Sequence, residues 1–332
     1  MQKQKRIMVM AGPGTLPSQG RDRMDLTHYN VKFSGKPRLT PVEMLDAWPE
    51  ISQYAETCTD DGPVMEVATH DDLHRLSLRI QEILQRSDIN GLVWIQGTNT
   101  LEETAFFLNL TVRSDKPVVV VGAQRPFTAI STDAHLNLVN AVRVAACTDT
   151  RGKGVVTVTN SEINAARDVT KTSTFQVQTF RSRDLGVMGY ADADRIVYYR
   201  APVRRHTTLS EFDLDKVTEM PRVEILYGHT GADPRLARSA VELGAQGLVF
   251  AGIGAGALGV YTDELRKLAS EGILIARSAR VGEGRVLNIG NTYEEGMAAA
   301  DNLNPQKAAL LLALGMTRTR DINEIQRVFD EY

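Results

Sequence analysis

The stretch Gly91 to Leu110, GLVWIQGTNTLEETAFFLNL, constrains this protein more than any other. Leu92 to Ile95 are apolar with a β-branched and aromatic bias, and Gln96 and Gly97 interrupt them, so Gly91 to Ile95 reads as a buried strand. A helix follows at once. Thr98 or Thr100 can cap it, Glu102 and Glu103 occupy the first turn where the macrodipole favours anions, and Leu101, Ala105 and Leu108 recur at helical spacing. Lys116 and Pro117 end the unit, and Val118 to Val121 reads as a second strand, so the segment predicts a βαβ crossover between parallel strands. Gly97 to Thr100 then sit at the carboxyl end of a strand and the amino end of a helix. Open α/β sheets bind ligands there, because free backbone N–H groups point into the loop. Against that stands the plainer alternative that Thr98 and Thr100 only cap the helix.

A sequence of 332 residues exceeds what one hydrophobic core usually holds, and a 42% hydrophobic content supplies two, so two α/β domains are expected. The 38 basic and 41 acidic residues are spread along the sequence for a net charge of −3, which offers no basic face to a nucleic acid. The expected partner is a small molecule. Cys58 and Cys147 are too few for a disulfide framework or a zinc site and fit a reducing compartment. The apolar run after the basic amino-terminal residues is too short for a signal sequence, and no stretch approaches the roughly 18 apolar residues of a membrane span. These features predict a cytoplasmic protein with no membrane contact.

In order along the sequence, Arg6 to Met10 reads as a first, central strand that runs into Ala11-Gly12-Pro13-Gly14-Thr15, a glycine turn with Thr15 at its tip. Gln19 to Pro37 is polar and aperiodic, which predicts a mobile lid-like loop; Tyr29 within it either folds over Thr15 or is an ordinary exposed aromatic. Pro41 to Ile51 predicts a short helix capped by Thr40. Met65 to Ala68 reads as a short strand, and Leu73, Leu76, Ile80 and Leu84 form the apolar stripe of a helix capped by Thr69 or Asp71. His70 and His74 stand one helical turn apart, but no third ligand lies near, so no metal is expected. Leu136, Val139, Val142 and Ala146 mark a further helix with Asp133 near its start. Gly154 to Thr159 is another strand, followed by a polar segment in which Lys171 is flanked by Thr170 and Thr172; a solvated surface lysine is the ordinary reading. A hairpin is expected over Gly186 to Tyr199.

Charged, hydrophobically sparse residues 200–222 predict a linker between an amino-terminal α/β domain, residues 1–199, and a carboxyl-terminal α/β domain, residues 223–332. In the latter, strands at 223–227, 248–251 and 273–276 alternate with helices at 234–243 and 262–269, the pattern of a smaller parallel sheet covered on both faces. Between the second strand and second helix lies GIGAGALG, with GxGxxG at Gly254, Gly256 and Gly259. This fits a dinucleotide fingerprint, although Arg277 stands where an acidic ribose partner belongs. Helices at 304–316 and 322–330 complete the sequence.

GTNTLEETAFFLNL, NAARDVTKTSTF and LNPQKAALLLAL, with AGPGTL near the start and RPFTAISTD between, together resemble the bacterial-type L-asparaginase and glutaminase amidohydrolases. The matches run from about residue 6 to 330 in the family's order. The resemblance implies the asparaginase fold, a larger amino-terminal α/β domain and a smaller carboxyl-terminal one, with active sites completed between subunits of a homodimer or homotetramer and no cofactor. It also places the catalytic set on Thr15, Tyr29, Thr98 and Lys171. In the implied mechanism Thr15 attacks a side-chain amide carbonyl and releases ammonia, water hydrolyses the acyl-enzyme, Tyr29 and the Thr98–Lys171 pair move protons, and donors around Gly97 to Asn99 hold the oxyanion.

The recognition positions depart from the family. It carries aspartate, receiving the substrate's α-ammonium, where this sequence has Asn99, and asparagine where this sequence has Ala255; the pair that grips the α-carboxylate falls on Thr69 and His70. An amide opposite a desolvated ammonium leaves the charge unpaired at a cost of roughly 3–5 kcal/mol. The expectation is therefore an asparaginase-like amidohydrolase whose best substrate is not free L-asparagine, with a substrate whose α-nitrogen is absent, acylated or uncharged. Three alternatives remain: a non-catalytic small-ligand sensor, an ordinary L-asparaginase, and an NADP-dependent enzyme using GIGAGALG.

Overall fold

The computed structural model describes residues 4–289 and 294–332; Met1 to Lys3 of the basic amino-terminal stretch lie outside them. Packing divides the protein into two compact units, Met1–Ser210 and Glu211–Tyr332. The first runs β1 (Arg6–Ala11), α1 (Val31–Ser34), α2 (Pro41–Asp46), β2 (Glu56–Thr59), α3 (His70–Gln85), β3 (Gly91–Ile95), α4 (Leu101–Thr111), β4 (Val118–Val121), α5 (Ala134–Ala146), β5 (Val155–Thr159), β6 (Glu162–Ala165), β7 (Thr170–Lys171), β8 (Phe180–Arg181), β9 (Gly189–Ala191) and β10 (Ile196–Tyr198).

An eight-stranded sheet in the order β10-β9-β6-β5-β4-β3-β1-β2 forms its centre, with β1 to β5 parallel and β6, β9 and β10 added antiparallel. Successive side chains of an extended strand point to opposite faces, and here both faces are covered. Ile7, Val9, Val93, Ile95, Val119 and Val121 meet Leu138, Ala141 and Val142 of α5 on one side. Met8, Met10, Leu92, Trp94, Val118 and Val120 meet Leu76 and Ile80 of α3 and Ala105 and Leu108 of α4 on the other. Each fully buried large side chain in these layers contributes about 1.5–3 kcal/mol relative to exposure. Double coverage is why the strands read as unbroken apolar runs.

The strand order reverses beside β1. From β1 the backbone goes outward to β2 at the sheet edge, then returns past β1 to β3 and continues to β4 and β5. The carboxyl ends of β1 and β3 therefore flank a topological switch point, the crevice where open α/β sheets take ligands. β1 is next to the edge, not central.

Several expectations meet corrections. Met65 to Ala68 forms no strand, because the outer edge of β1 is already paired with Glu56–Thr59. That edge strand shows no apolar run; it is held by backbone pairing to β1, with only Cys58 packing against the core. β6 follows β5 through Asn160 and Ser161, both left-handed at φ 53° and 60°, which is a two-residue hairpin turn. The loop Gln19 to Pro37 is not structureless. It contains α1, capped by Asn30, and folds around the buried Asp25 carboxylate, which accepts from the backbone N–H groups of Arg21, Thr27 and His28 and from Arg21 Nε at 2.6 Å.

The charged stretch 200–222 is shared between the units. His206, Thr207 and Ser210 are buried in the first, where Ser210 Oγ donates to the carbonyl of Leu110. In the second, Phe212 packs on Tyr332 with ring centroids 5.0 Å apart, and Glu211 pairs with Arg327 at 2.9 Å.

The second unit runs β11 (Val223–Tyr227), α6 (Arg235–Glu242), β12 (Gly247–Gly252), α7 (Thr262–Ser270), β13 (Leu274–Ala279), β14 (Ala298–Ala299), α8 (Pro305–Met316) and α9 (Ile322–Glu331). Its parallel sheet has the order β11-β12-β13-β14. Leu248, Phe250 and Ile275 face Ala237 of α6 and Leu265 and Leu268 of α7. On the other face lies α8, buried along nearly its whole length and, from Ala308 onward, without a polar side chain.

Candidate active site

Two loops meet at the switch point. Gly97 N–H, just beyond β3, donates to the carbonyl of Pro13, just beyond β1, at 2.8 Å. Gly14 lies so close to Gly97 that a Cβ there would overlap the Gly97 backbone nitrogen. The glycines of AGPGT thus allow backbone to touch backbone, and the contact brings Thr15 and Thr98 to the same cavity of about 400 Å³. Its lining includes Gly14, Thr15, Tyr29, Glu66 to Ala68, and Gly97 to Thr100, with Arg38. That volume lies in the range of small-molecule sites.

Both hydroxyls are nearly buried, and each has a different proton partner. Thr15 Oγ1 donates to Tyr29 Oη at 3.3 Å. Tyr29 is half-buried over Thr15, so the ordinary exposed-aromatic alternative fails. Lys171 Nζ donates to Thr98 Oγ1 at 2.7 Å, and Thr98 Oγ1 donates to Gln124 Oε1 at 3.1 Å. Lys171 is half-buried rather than solvated. Burial pushes its ammonium below the ordinary lysine value, and the nearby Glu102 carboxylate pushes back.

The capping alternative for the threonines also fails. Thr100 occupies the cap position of α4, but its hydroxyl makes no capping bond, and the Thr98 hydroxyl is engaged by Lys171 and Gln124. Glu102, in the first turn of α4, accepts the Lys171 backbone N–H at 2.6 Å and so fixes the strand that carries the lysine. Asp133 likewise serves the site, and its side chain makes no capping bond to α5. Its carboxylate accepts the backbone N–H groups of Gln124 and Arg125, each at 2.9 Å, and holds Gln124 beside Thr98. Gln124 was not singled out from the sequence; its place just before Arg-Pro-Phe was the available signal. Gly97 N–H is bonded to the Pro13 carbonyl, whereas the N–H groups of Thr98, Asn99 and Thr100 have no backbone acceptor among the described residues.

The remaining predicted residues fall in different places. Asn99 is exposed on the cavity wall. Thr69 caps α3 in a capping box: its hydroxyl donates to Asp72 Oδ2 at 2.8 Å and accepts from Asp72 N–H at 3.1 Å. His70 opens α3, and neither it nor Thr69 lines the cavity. Ala255 belongs to the second unit, exposed in the turn after β12. That turn does not present a phosphate cradle. Gly254, Gly256 and Gly259 have φ of 52°, 94° and 58°, and Ile253 N–H and Ala257 N–H close the loop on Ala257 and Ile253 carbonyls. Arg277 is buried and paired with Glu294 at 2.8 Å, so its guanidinium is not offered to a 2′-phosphate. Among the described residues no group of three or more His, Cys, Asp and Glu could hold a metal, and no helix is long and apolar enough to cross a membrane.

Comparison with known proteins gives a consistent result. The family described as "Asparaginase, N-terminal" matches residues 6–204, and "Glutaminase/Asparaginase C-terminal domain" matches 222–329. L-asparaginase 2 of Bacillus subtilis (strain 168) is 39% identical over 98% of this protein and 86% of its own length. The glutaminase-asparaginase of Pseudomonas fluorescens biotype A is 36% identical over 98% of this protein and 90% of its own length. A crystal structure of the probable cytoplasmic L-asparaginase from Campylobacter jejuni superposes with a TM-score of 0.91 at 34% identity, covering 99% of this protein and all of that one.

Proposed function

The protein belongs to the asparaginase and glutaminase family of hydrolases acting on C–N bonds other than peptide bonds, and on that premise we propose that it deamidates a small amide lacking a free α-ammonium, with Thr15 as nucleophile. One observation carries this reading: two buried threonine hydroxyls share one cavity, each bonded to its own proton carrier, Thr15 to Tyr29 and Thr98 to Lys171. A threonine hydroxyl needs a base before it attacks a carbonyl. Tyr29 stands where it takes the Thr15 proton and returns it to the departing ammonia. Thr98 and Lys171 then activate the water that cleaves the acyl-enzyme, Lys171 acting in the neutral form that burial favours. The N–H groups of Thr98 and Asn99 are the proposed oxyanion donors.

Specificity follows from charge. Asn99 provides no carboxylate for an α-ammonium, and the Thr69 hydroxyl is committed to Asp72. The test is ammonia release from L-asparagine, D-asparagine, L-glutamine, N-acylated asparagines and succinamate, with Thr15→Ala beside the parent. Turnover of an amide lacking the free ammonium, abolished in Thr15→Ala, supports the proposal. Brisk turnover of L-asparagine, or no gain of it in Asn99→Asp combined with Ala255→Asn, refutes the specificity. We further propose a cytoplasmic homodimer or homotetramer. The free thiols of Cys58 and Cys147 suit a reducing compartment, and the exposed apolar Tyr199, Val203 and Leu209 suit burial against a second copy. Cell fractionation and light scattering decide these points.

A further inference from the structure

Two charges in the cavity have no role in the proposed chemistry. Glu66 and Arg38 both line the space that holds Thr15 and Thr98, both are exposed, and neither side chain has a hydrogen-bond or ion-pair partner among the described residues. Elsewhere in this unit charged side chains pair readily, as Arg79 does with Asp60 and Glu82 and Arg151 with Asp115. Opposite charges left unpaired in one ligand-sized space are poised for charges on a ligand. The positions that a free amino acid would need are meanwhile neutral or occupied: Asn99 carries no charge, and the Thr69 hydroxyl both donates to and accepts from Asp72.

We propose that Glu66 and Arg38 set the substrate class: Glu66 receives a cation lying farther from the reacting carbonyl than an α-ammonium does, and Arg38 receives the substrate's carboxylate. The simplest compound with that charge arrangement is an aminoacyl-asparagine, a dipeptide ending in asparagine. Acylation turns the α-ammonium into a neutral N–H that the Asn99 side-chain oxygen can accept. It also moves the ammonium outward by about one residue, ~3.3–3.6 Å along an extended backbone, where Glu66 of the same cavity is the carboxylate proposed to receive it. A planar guanidinium suits the carboxylate through paired N–H bonds. The bond broken is the C–N bond of the asparagine carboxamide. Thr15 Oγ replaces nitrogen on the carbonyl carbon and ammonia leaves with the threonine proton, then water displaces Thr15 to give aspartate; the peptide bond stays intact. This inference rests on the amidohydrolase reading of the Thr15 site.

Glycyl-asparagine and N-acetyl-asparagine differ only in the distal ammonium, so comparing their kcat/KM isolates it. The glycyl compound is expected to be better by about tenfold, near the lower end of what a hydrogen bond to a charged group is worth, and the advantage is expected to vanish in Glu66→Gln and persist in part in Glu66→Asp. Arg38→Gln is expected to raise KM for both compounds and leave their ratio in place. Ammonia release from both compounds at a ratio near one, or a ratio that Glu66→Gln does not change, overturns the inference and leaves the amidohydrolase reading standing. If neither compound releases ammonia, calorimetry with the same pair separates the two claims. Tighter binding of the glycyl compound, lost in Glu66→Gln, upholds the role of Glu66 while the hydrolytic reading falls; equal or absent binding overturns the inference.

Discussion

Gly12-Pro13-Gly14-Thr15 follows β1, and Ile253-Gly254-Ala255-Gly256 follows β12; each glycine-rich turn leaves the carboxyl end of a parallel strand. In the first, neither glycine has a positive φ, and the need is for space: Gly14 abuts the Gly97 backbone and Gly12 the Trp94 ring. In the second, Gly254 and Gly256 are left-handed, and the turn closes on itself through Ile253 and Ala257. The first turn holds the Thr15 hydroxyl beside a neighbouring loop, whereas the second has only apolar and glycine residues between Gly252 and Gly259. Glycine spacing therefore marks a place where the backbone is special. Whether the reason is close approach or a dihedral angle, and so whether a site results, depends on what lies beside it.

The largest expected effect tests the polar partners on the loop that the first turn touches. Lys171→Arg cannot shed its proton, and it is expected to lower kcat by ~10²–10⁴-fold, the usual worth of a general base. In the parent, the rate is expected to rise with pH as the Lys171 ammonium deprotonates. Because burial lowers its pKa, the midpoint should fall below the ordinary lysine value of about 10.4. A pH–rate profile with no such limb, or an active Lys171→Arg, would remove the Thr98–Lys171 pair from the chemistry and leave the loop beside the first turn as scaffold.

Next comes Gly14→Ala. Its methyl group would overlap backbone atoms of Gly97, whose N–H is bonded to the Pro13 carbonyl just beyond the β1–β3 pairing, and neither loop can give way cheaply. Thermal unfolding should show a loss of ~3 kcal/mol or more, with ammonia release falling further than the unfolded fraction explains. Stability lost without activity lost would mean that the Gly14–Gly97 contact does not align Thr15. A smaller change is expected for Gly254→Ala, where a methyl group meets open space and only the left-handed φ of 52° is penalised. Denaturant unfolding should show a loss of ~1–2 kcal/mol. A loss as large as at Gly14 would erase the distinction between the two turns. Smallest of all is the effect of NADP, which is expected to leave Tm unchanged at millimolar concentration because Arg277 is bound to Glu294 and the turn is closed. A saturable stabilisation would reinstate GIGAGALG as a nucleotide site.

Much of this architecture is written locally. The β3-α4-β4 crossover was legible because a continuous apolar strand, the acidic first helical turn and the Lys-Pro stop are properties of neighbouring residues, and the parallel alternation of the second unit was legible for the same reason. The edge strand Glu56–Thr59 and the short β6 were not, because four residues carry too little of a side-chain period to be read alone, and pairing with β1 and β5 supplies their order. Thr15, Tyr29, Thr98 and Lys171 could be nominated from motif resemblance, which supplies positions but no bonds. Only the tertiary structure decided that the Thr98 hydroxyl serves Lys171 and Gln124 instead of its helix, and that the Thr69 hydroxyl serves its helix instead of the cavity. A hydroxyl has one proton to give and few lone pairs, so what it can do is fixed by which partners reach it first, and in a folded protein those partners can arrive from far away in the sequence.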